Sequence, residues 1–335
     1  MTSKNNVDLT IPDFIPDSLN PERGGQVHLQ ELVDPTVNPY IGSTLKVRIF
    51  AILPPPYSIK QYPGLGILTN AYNQGRLKGI KFLVMPTSGN LPMGMSPYAK
   101  FFGIQQLTAI TPFDIAPGKR ETLKLTGIYC VEPNKEWGET SMSLAKVFAE
   151  NPDRLLIDQY TDPANPASYE QWFMPSVWKE TEGKLTVLGI GVGSTGCVTG
   201  CRSYIQKQSL PVHVVGGICG SQNDVPGVRN VARLNEIGFD CDTSPFPIVR
   251  DINGTTAFNA SGLLIQAGIF VGPSSGLSWH ALMQFIKGHE QNGTLDQLRN
   301  SDGEVVGAFV CGDDPRFYWD KYTTHLRGGI PHPTS

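Results

Sequence analysis

The chain has 335 residues, enough for one large hydrophobic core or two cores of medium size. Hydrophobic residues make up 40% of it and charged residues 17%, a composition typical of globular proteins. A net charge of −3 argues against a nucleic-acid or polybasic membrane role, and no apolar run is long enough to span a bilayer.

The cysteine pattern predicts reduced thiols in a cytoplasmic protein. The first six residues lack the apolar core of a signal peptide. Cys197 and Cys201 lie four apart, but no second pair or histidine completes a zinc pattern, so no metal site is predicted. The six cysteines are scattered along the chain: Cys130, Cys197, Cys201, Cys219, Cys241 and Cys311.

The first 40 residues are polar and rich in proline. They predict an arm that packs on the body of the protein or on a partner subunit. A partly disordered tail is the alternative.

A lysine follows the first predicted strand. Residues 44–53 alternate in the manner of a strand, and Pro54–Pro56 end it. Lys60 then leads into a helical pattern over 67–72. A cation at the start of a helix is repelled by the positive end of the helix dipole. A lysine that loses its charge in a Schiff base avoids this repulsion. An ordinary surface lysine is the alternative.

Strands and helices alternate along the rest of the chain, which predicts an α/β fold with a largely parallel sheet. The predicted strands cover residues 80–85, 106–110, 128–131, 155–160, 185–188, 212–217 and 305–311. The predicted helices cover residues 97–103, 120–125, 141–151, 258–267 and 277–287.

A glycine-rich segment, Gly189–Gly200, follows an apolar run and precedes a helical pattern. A strand, a glycine-rich turn and a helix form a site for an anion such as phosphate, because backbone N–H groups and the helix N-terminus face the ligand. No Gly-Lys-Ser/Thr follows, so the segment is not a P-loop, and it fits a dinucleotide motif poorly. Tight packing alone is the alternative.

Five segments resemble one family in the same order. They are Tyr-Ser-Ile-Lys at 57–60, Pro-Thr-Ser-Gly-Asn at 86–90, Gln-Tyr-Thr-Asp-Pro-Ala-Asn-Pro at 159–166, Gly-Ser-Thr-Gly-Cys at 193–197 and Gly-Pro-Ser-Ser-Gly at 272–276. The family is cysteine synthase (O-acetylserine sulfhydrylase) and cystathionine β-synthase, within the fold-type II pyridoxal-phosphate enzymes. The resemblance covers roughly residues 40 to 320.

The resemblance implies an α/β fold of the tryptophan synthase β type, with two three-layer α/β/α domains and mostly parallel sheets. After the arm at 1–40, an N-terminal domain at 41–162 would carry Lys60 and Asn90. A C-terminal domain at 163–330 would carry the phosphate loop and Ser274. A homodimer is implied.

The resemblance also implies a role for each site residue. Lys60 would form the internal aldimine with pyridoxal 5′-phosphate and act as the catalytic base, Asn90 would bind the pyridine 3-hydroxyl, and Ser274 would face the ring nitrogen. The phosphate would lie on Gly193, Ser194, Thr195, Gly196 and Cys197. The substrate α-carboxylate would be held by Thr87, Ser88, Gly89 and Gln159.

Several positions depart from the family pattern. The Asn loop continues Leu91-Pro92 instead of Thr-Gly, and Thr195 and Cys197 replace a Gly and a Thr of the phosphate loop. A glycine-rich stretch on the substrate side is replaced by charged residues, among which Arg229 and Arg233 could bind an extra carboxylate or sulfonate or form surface ion pairs. We therefore expect a specialised relative.

Three functions stay open at this point. The first is β-replacement on an O-activated serine, serine or cysteine through an aminoacrylate, with a small nucleophile as second substrate. The second is a β-eliminating lyase or deaminase that yields pyruvate and ammonia. The third is a binding homologue with weak catalysis.

Overall fold

The computed structural model is an α/β fold with two sheets and describes residues 7–24, 27–55, 58–113, 115–134, 136, 138–222, 224–234 and 246–326. The strands are β1 His28–Glu31, β2 Val47–Leu53, β3 Phe82–Pro86, β4 Gln106–Ile110, β5 Tyr129–Val131, β6 Arg154–Leu156, β7 Val187–Gly191, β8 His213–Cys219, β9 Ile248–Ile252 and β10 Val305–Val310.

Helices separate most of the strands. They are α1 Gln61–Asn73, α2 Asn90–Ala99, α3 Pro117–Leu125, α4 Ser141–Phe148, α5 Ala164–Ser168, α6 Met174–Glu180, α7 Gly196–Lys207, α8 Val231–Leu234, α9 Gly254–Gln266, α10 Pro273–Gln291 and α11 Trp319–His325. A π-helical segment, Tyr169–Phe173, joins α5 to α6, and 3-10 turns lie at Asp17–Leu19, Lys100–Phe102, Leu295–Leu298 and Pro315–Tyr318. Across the described residues, no helix is both long and apolar enough to cross a membrane.

The larger sheet has six strands in the order β1-β2-β10-β7-β8-β9. All neighbours are parallel except β1, which pairs antiparallel with β2. Strand β10 is buried along its whole length because it lies between β2 and β7 and under α10. A run of apolar residues such as Val305–Val310 is expected of a parallel strand that is covered on both faces.

The smaller sheet has four parallel strands in the order β5-β4-β3-β6. One apolar core includes Leu83 and Met85 of this sheet as well as Leu188 and Ala308 of the larger one. The prediction of an α/β fold with mostly parallel sheets is confirmed. The boundary at residue 162 stays a prediction; β2, which it assigns to the first domain, pairs with β10 in the larger sheet.

The described part of the N-terminal arm packs on the body. Leu9, Ile11 and Ile15 are buried in the core, and β1 extends the larger sheet. Phe14 lies edge-on to Tyr72, with ring centroids 5.3 Å apart. For these residues, packing on the body is therefore correct and the tail alternative is wrong.

The predicted elements are mostly present, but several bounds differ. The helix predicted over 97–103 is wrong in position, since α2 covers Asn90–Ala99 and a 3-10 turn follows it. Helix α2 begins earlier than predicted because Gly89 has a φ of 108°, a left-handed conformation that turns the chain directly from β3 into the helix. The strand predicted over 155–160 ends at Leu156, so Gln159 lies in the turn that follows.

Helices α1 and α2 approach closely through glycine. A Cβ atom at Gly94 would lie 2.3 Å from the carbonyl carbon of Lys60. That neighbour is backbone and cannot rotate away, so the position of Lys60 depends on a residue without a side chain at 94.

We expect Gly94→Ala to lower the free energy of unfolding by about 3 kcal/mol, because the methyl group overpacks a backbone contact. Gly288→Ala in α10 is the matched control, since a Cβ there meets nothing within 4 Å. It should raise stability by about 0.5–1 kcal/mol, because alanine loses less entropy in a helix than glycine does. Urea unfolding of both variants measures the difference, and equal stabilities would contradict the prediction.

Candidate active site

A cleft lies where strands of both sheets reach their carboxyl ends. Strand β2 leads to Lys60, β3 to Asn90 and β7 to the glycine-rich loop. This edge of a parallel sheet is where α/β proteins bind their ligands. The cleft brings together these predicted site residues: Lys60, Asn90, Gly193, Ser194, Thr195, Cys197 and Ser274.

Lys60 lies directly before α1, and its amine points at the glycine-rich loop. Its Nζ is 3.3 Å from Ser194 Oγ and 5.7 Å from the centre of the Tyr169 ring. Burial lowers the pKa of Lys60, an effect that the nearby Cys197 thiol opposes. Because the charged form is disfavoured, the amine is available as a nucleophile and a base.

The glycine-rich loop joins the end of β7 to the start of α7. A Cβ atom at Gly193 would lie 2.3 Å from the carbonyl oxygen of Gly227, so the loop requires glycine there. Thr195 has a φ of 62°, and its buried Oγ1 has no hydrogen-bond partner. The N–H groups that open α7 lack helical partners, and the helix dipole favours an anion beside them.

Asn165 supports this loop from behind. Its side chain is buried, and its Nδ2 donates to the Gln159 carbonyl at 2.7 Å and to Ser194 Oγ at 3.3 Å. Gly196 does not line the cleft; a Cβ atom there would lie 2.2 Å from Asn165 Oδ1. Glycine at 196 therefore makes room for Asn165, which fixes the hydroxyl of Ser194.

Asn90 and Ser274 also line the cleft. Asn90 begins α2, and its Nδ2 donates to Asp313 Oδ2 at 2.9 Å, while its buried Oδ1 has no partner. Ser274 lies in the first turn of α10. A Cβ atom at Gly312 would come within 2.5 Å of Ser274 Oγ, so glycine there leaves space for the hydroxyl.

The four residues predicted to hold a substrate carboxylate do not line the cleft itself. Thr87 is buried and its Oγ1 accepts a hydrogen bond from the Gly89 N–H at 3.0 Å, whereas Ser88 is exposed. Gln159 is buried, and its carbonyl accepts from Asn165. Their role in binding substrate stays a prediction.

Of the two arginines singled out in the sequence, Arg229 lies beside the cleft. Its guanidinium stands over the Tyr160 ring, 4.4 Å from the centroid. Its backbone N–H donates to the carbonyl of Val192, which lies in the glycine-rich loop. The side chain of Arg233 lies outside the described part of the structure.

Sequence reasoning missed a buried charged cluster behind Asn90. Lys119 of α3 pairs with Asp313, with Nζ 3.3 Å from Oδ2 and side-chain exposures of 2% and 0%. The Tyr318 hydroxyl bonds to both residues. One signal was present in the sequence, since Asp313 comes shortly after a predicted buried strand, at the edge where parallel strands place functional groups.

The donors of the cleft fit a phosphate-bearing aldehyde such as pyridoxal phosphate. The glycine-rich loop offers N–H groups to a phosphate, and Lys60 offers an amine whose pKa burial lowers. The unpartnered Thr195 Oγ1 and Asn90 Oδ1 are groups that a ligand can satisfy. In the described part of the chain, no group of three or more His, Cys, Asp or Glu could hold a metal ion.

Comparisons with known proteins agree with this chemistry. A family model described as "Pyridoxal-phosphate dependent enzyme" matches residues 55–297. Cysteine synthase A of Escherichia coli (strain K12) is 33% identical over 249 residues, which are 69% of this chain and 76% of that protein. Cysteine synthase B of Pseudomonas aeruginosa is 27% identical over 311 residues, which are 92% of this chain and 94% of that protein.

Solved structures share the fold at low identity. An O-acetylserine dependent cystathionine β-synthase from Helicobacter pylori superposes with a TM-score of 0.73 at 18% identity, covering 91% of this chain and 98% of that one. An O-ureido-L-serine synthase superposes with a TM-score of 0.70 at 18% identity, covering 89% of this chain and 92% of that one.

We expect Thr195→Gly to raise the free energy of unfolding of the cofactor-free protein by about 1 kcal/mol. The left-handed backbone at 195 costs a non-glycine residue about 1–2 kcal/mol, which the larger unfolded-state entropy of glycine partly offsets. Thr195→Ala is the matched control because it removes the unpartnered hydroxyl but keeps the strain. In chemical denaturation, an alanine variant as stable as the glycine variant would show that strain is not the cause.

The pKa of Lys60 also makes stability depend on pH. Folded Lys60 loses its proton at a lower pH than the unfolded value of 10.5, so the unfolded state binds more protons in that window and stability rises with pH. Cofactor-free wild type should therefore gain stability relative to Lys60→Met as the pH rises toward 10.5. Lys100→Met, at an exposed lysine, should change with pH in parallel with wild type. Unfolding curves between neutral and alkaline pH measure the difference in free energy of unfolding between wild type and Lys60→Met. A difference that stays constant with pH would contradict the prediction.

Proposed function

Because the chain belongs to the pyridoxal-phosphate dependent enzymes of the cysteine synthase type, we propose that it catalyses β-replacement on an O-activated serine. Serine or cysteine are the other donors of the same class. The reaction would exchange the β-substituent for a small nucleophile. The observation that carries the proposal is the Lys60 amine, 3.3 Å from the hydroxyl of a glycine-rich anion loop and with a pKa lowered by burial.

Lys60 would bind the cofactor covalently through Nζ and, once released, accept the α-proton of the substrate at the same atom. The loop from Gly193 to Cys197 would bind the phosphate through backbone N–H groups and the Ser194 hydroxyl. Asn90 would contact the ring 3-oxygen and Ser274 the ring nitrogen. When bound, pyridoxal phosphate supplies the electron sink that makes loss of an α-proton accessible.

The start of α2 favours a specialised substrate. Thr87, Ser88 and Gly89 lead into this helix and would hold the α-carboxylate together with Gln159. Pro92 lies in the first turn and has no N–H, and Leu91 is buried, so this helix end offers one donor fewer to an anion. A site with fewer donors here needs other groups to hold its substrate, and Arg229, which stands over the Tyr160 ring beside the cleft, is a cation that could do so. A homodimer and a cytoplasmic location stay predictions.

The proposal predicts a visible absorbance band from bound cofactor that shifts when the right donor is added. The purified protein is mixed separately with O-acetylserine, O-phosphoserine, serine and cysteine, and spectra are recorded before and after a thiol is supplied. We expect one O-activated serine to change the band at once and the thiol to restore it with formation of an S-substituted cysteine, which is a thioether.

Lys60→Ala should lose the band and at least about 10³-fold in rate, since the base and the covalent attachment are both removed. Lys100→Ala, which removes an exposed lysine, should behave as wild type. Pyruvate released at full rate without any thiol would replace this proposal with a β-eliminating lyase. Bound cofactor with no α-proton exchange for any donor would point to a binding homologue.

A further inference from the structure

The buried ion pair behind Asn90 has no part in the chemistry assigned above. Lys119 and Asp313 are 2% and 0% exposed in their side chains, and their Nζ and Oδ2 atoms are 3.3 Å apart. Taking two charges out of water has a large free-energy cost, which close pairing offsets only in part. A pair of this kind is weak evidence for stability, so its position relative to the cleft is the informative feature.

Asp313 holds the amide of Asn90. Its Oδ2 accepts from Asn90 Nδ2 at 2.9 Å, from Lys119 Nζ at 3.3 Å and from the Tyr318 hydroxyl. Asn90 lines the cleft, whereas Asp313 and Lys119 lie behind it. The carboxylate therefore fixes the plane and direction of the Asn90 side-chain amide, which faces the cleft.

The cluster also joins the two sheets. Asn90 and Lys119 come after β3 and β4 of the smaller sheet, and Asp313 and Tyr318 come after β10 of the larger one. The stem of Lys119 packs beneath the loop before Asn90, since a Cβ atom at Gly89 would lie 3.2 Å from its Cδ. The direction of the amide is thus determined by residues that follow strands of both sheets.

We propose that Asp313 is a positioning residue for Asn90 and that Lys119 neutralises its charge, so that the pair sets the electrostatic potential at the ring 3-oxygen of the cofactor. The inference rests on the proposed function, which assigns Asn90 to that oxygen. Loss of either charge would leave the other one uncompensated behind the amide. The cofactor would sense that charge through its own proton equilibrium.

The protonation states around the pair fit this arrangement. Burial raises the pKa of Tyr318 well above its usual value, so the hydroxyl keeps its proton and donates to Asp313. Burial lowers the pKa of Lys119, and Asp313 opposes that shift. Other titratable or charged groups surround the pair. Lys321 of α11 acts on Lys119, and Tyr322 of α11 is affected by Asp313 and Asp314. Asp314 in turn pairs with Arg316. In the cleft, the titratable groups are Lys60, Cys197 and Tyr169.

The test follows the visible absorbance of the bound cofactor against pH in four holoenzymes: wild type, Lys119→Met, Asp313→Asn and the double variant. Lys119→Met leaves a carboxylate uncompensated, which favours protonation nearby, so the midpoint should rise by about one pH unit. Asp313→Asn leaves a cation uncompensated, so the midpoint should fall by a similar amount. The double variant should return close to wild type because neither charge is left.

A merely structural pair would give a different result, since both single variants would then shift the midpoint in the same direction or leave it unchanged. Either outcome with cofactor bound overturns the inference but not the proposed function. Lys119→Arg keeps the charge and should retain the wild-type midpoint. Arg48→Met, which breaks the Arg48–Glu31 pair in the β1–β2 region of the larger sheet, is the remote control and should also retain it. Absence of a Lys60-dependent band in wild type would overturn both proposals.

Discussion

The parallel pairing of β2 with β10, and of β10 with β7, places three strand ends side by side at one edge of the larger sheet. Lys60 follows the first, Asp313 the second and the glycine-rich loop the third. The carboxyl ends of β3 and β4 bring Asn90 and Lys119 to the same place from the smaller sheet. The cleft therefore exists because strands of both sheets have their carboxyl ends at a common edge. The position of each of these side chains is set by the strand that precedes it.

Several buried polar atoms without a hydrogen-bond partner lie at this edge, and others lie elsewhere in the described core. Asn90 Oδ1, Asn165 Oδ1, Thr195 Oγ1 and Asp313 Oδ1 are all buried at this edge without a hydrogen-bond partner. Thr195 also has a left-handed backbone. Buried polar groups and strained residues cost free energy, and they cluster where binding or catalysis uses them. The group of four such atoms around one cleft, together with the strained Thr195, agrees with the location that the topology indicates.

The sequence predicted the parts of this site that lie in local motifs. Lys60, Asn90, Ser274 and the glycine-rich loop each stand in a short run whose residues suggest a function, and the fold brings them to one cleft. Asp313 and Lys119 are 194 positions apart, and a single lysine in a helical pattern is indistinguishable from a surface lysine until the partner strand is placed. The position of α2 was missed because the positive φ of Gly89 depends on tertiary packing as well as on local preference.

The strand order also sets the time at which the cleft can form during synthesis. Strand β10 is among the last strands of the described chain, yet it lies between β2 and β7, in the interior of the larger sheet. A nascent chain that ends before Val305 lacks the strand that pairs with both β2 and β7. Lys60 and the glycine-rich loop are then not held in a fixed relative position. Domains form as units while the ribosome proceeds from the N-terminus. Competence to capture cofactor is accordingly acquired only after β10 has been synthesised and has paired with β2 and β7.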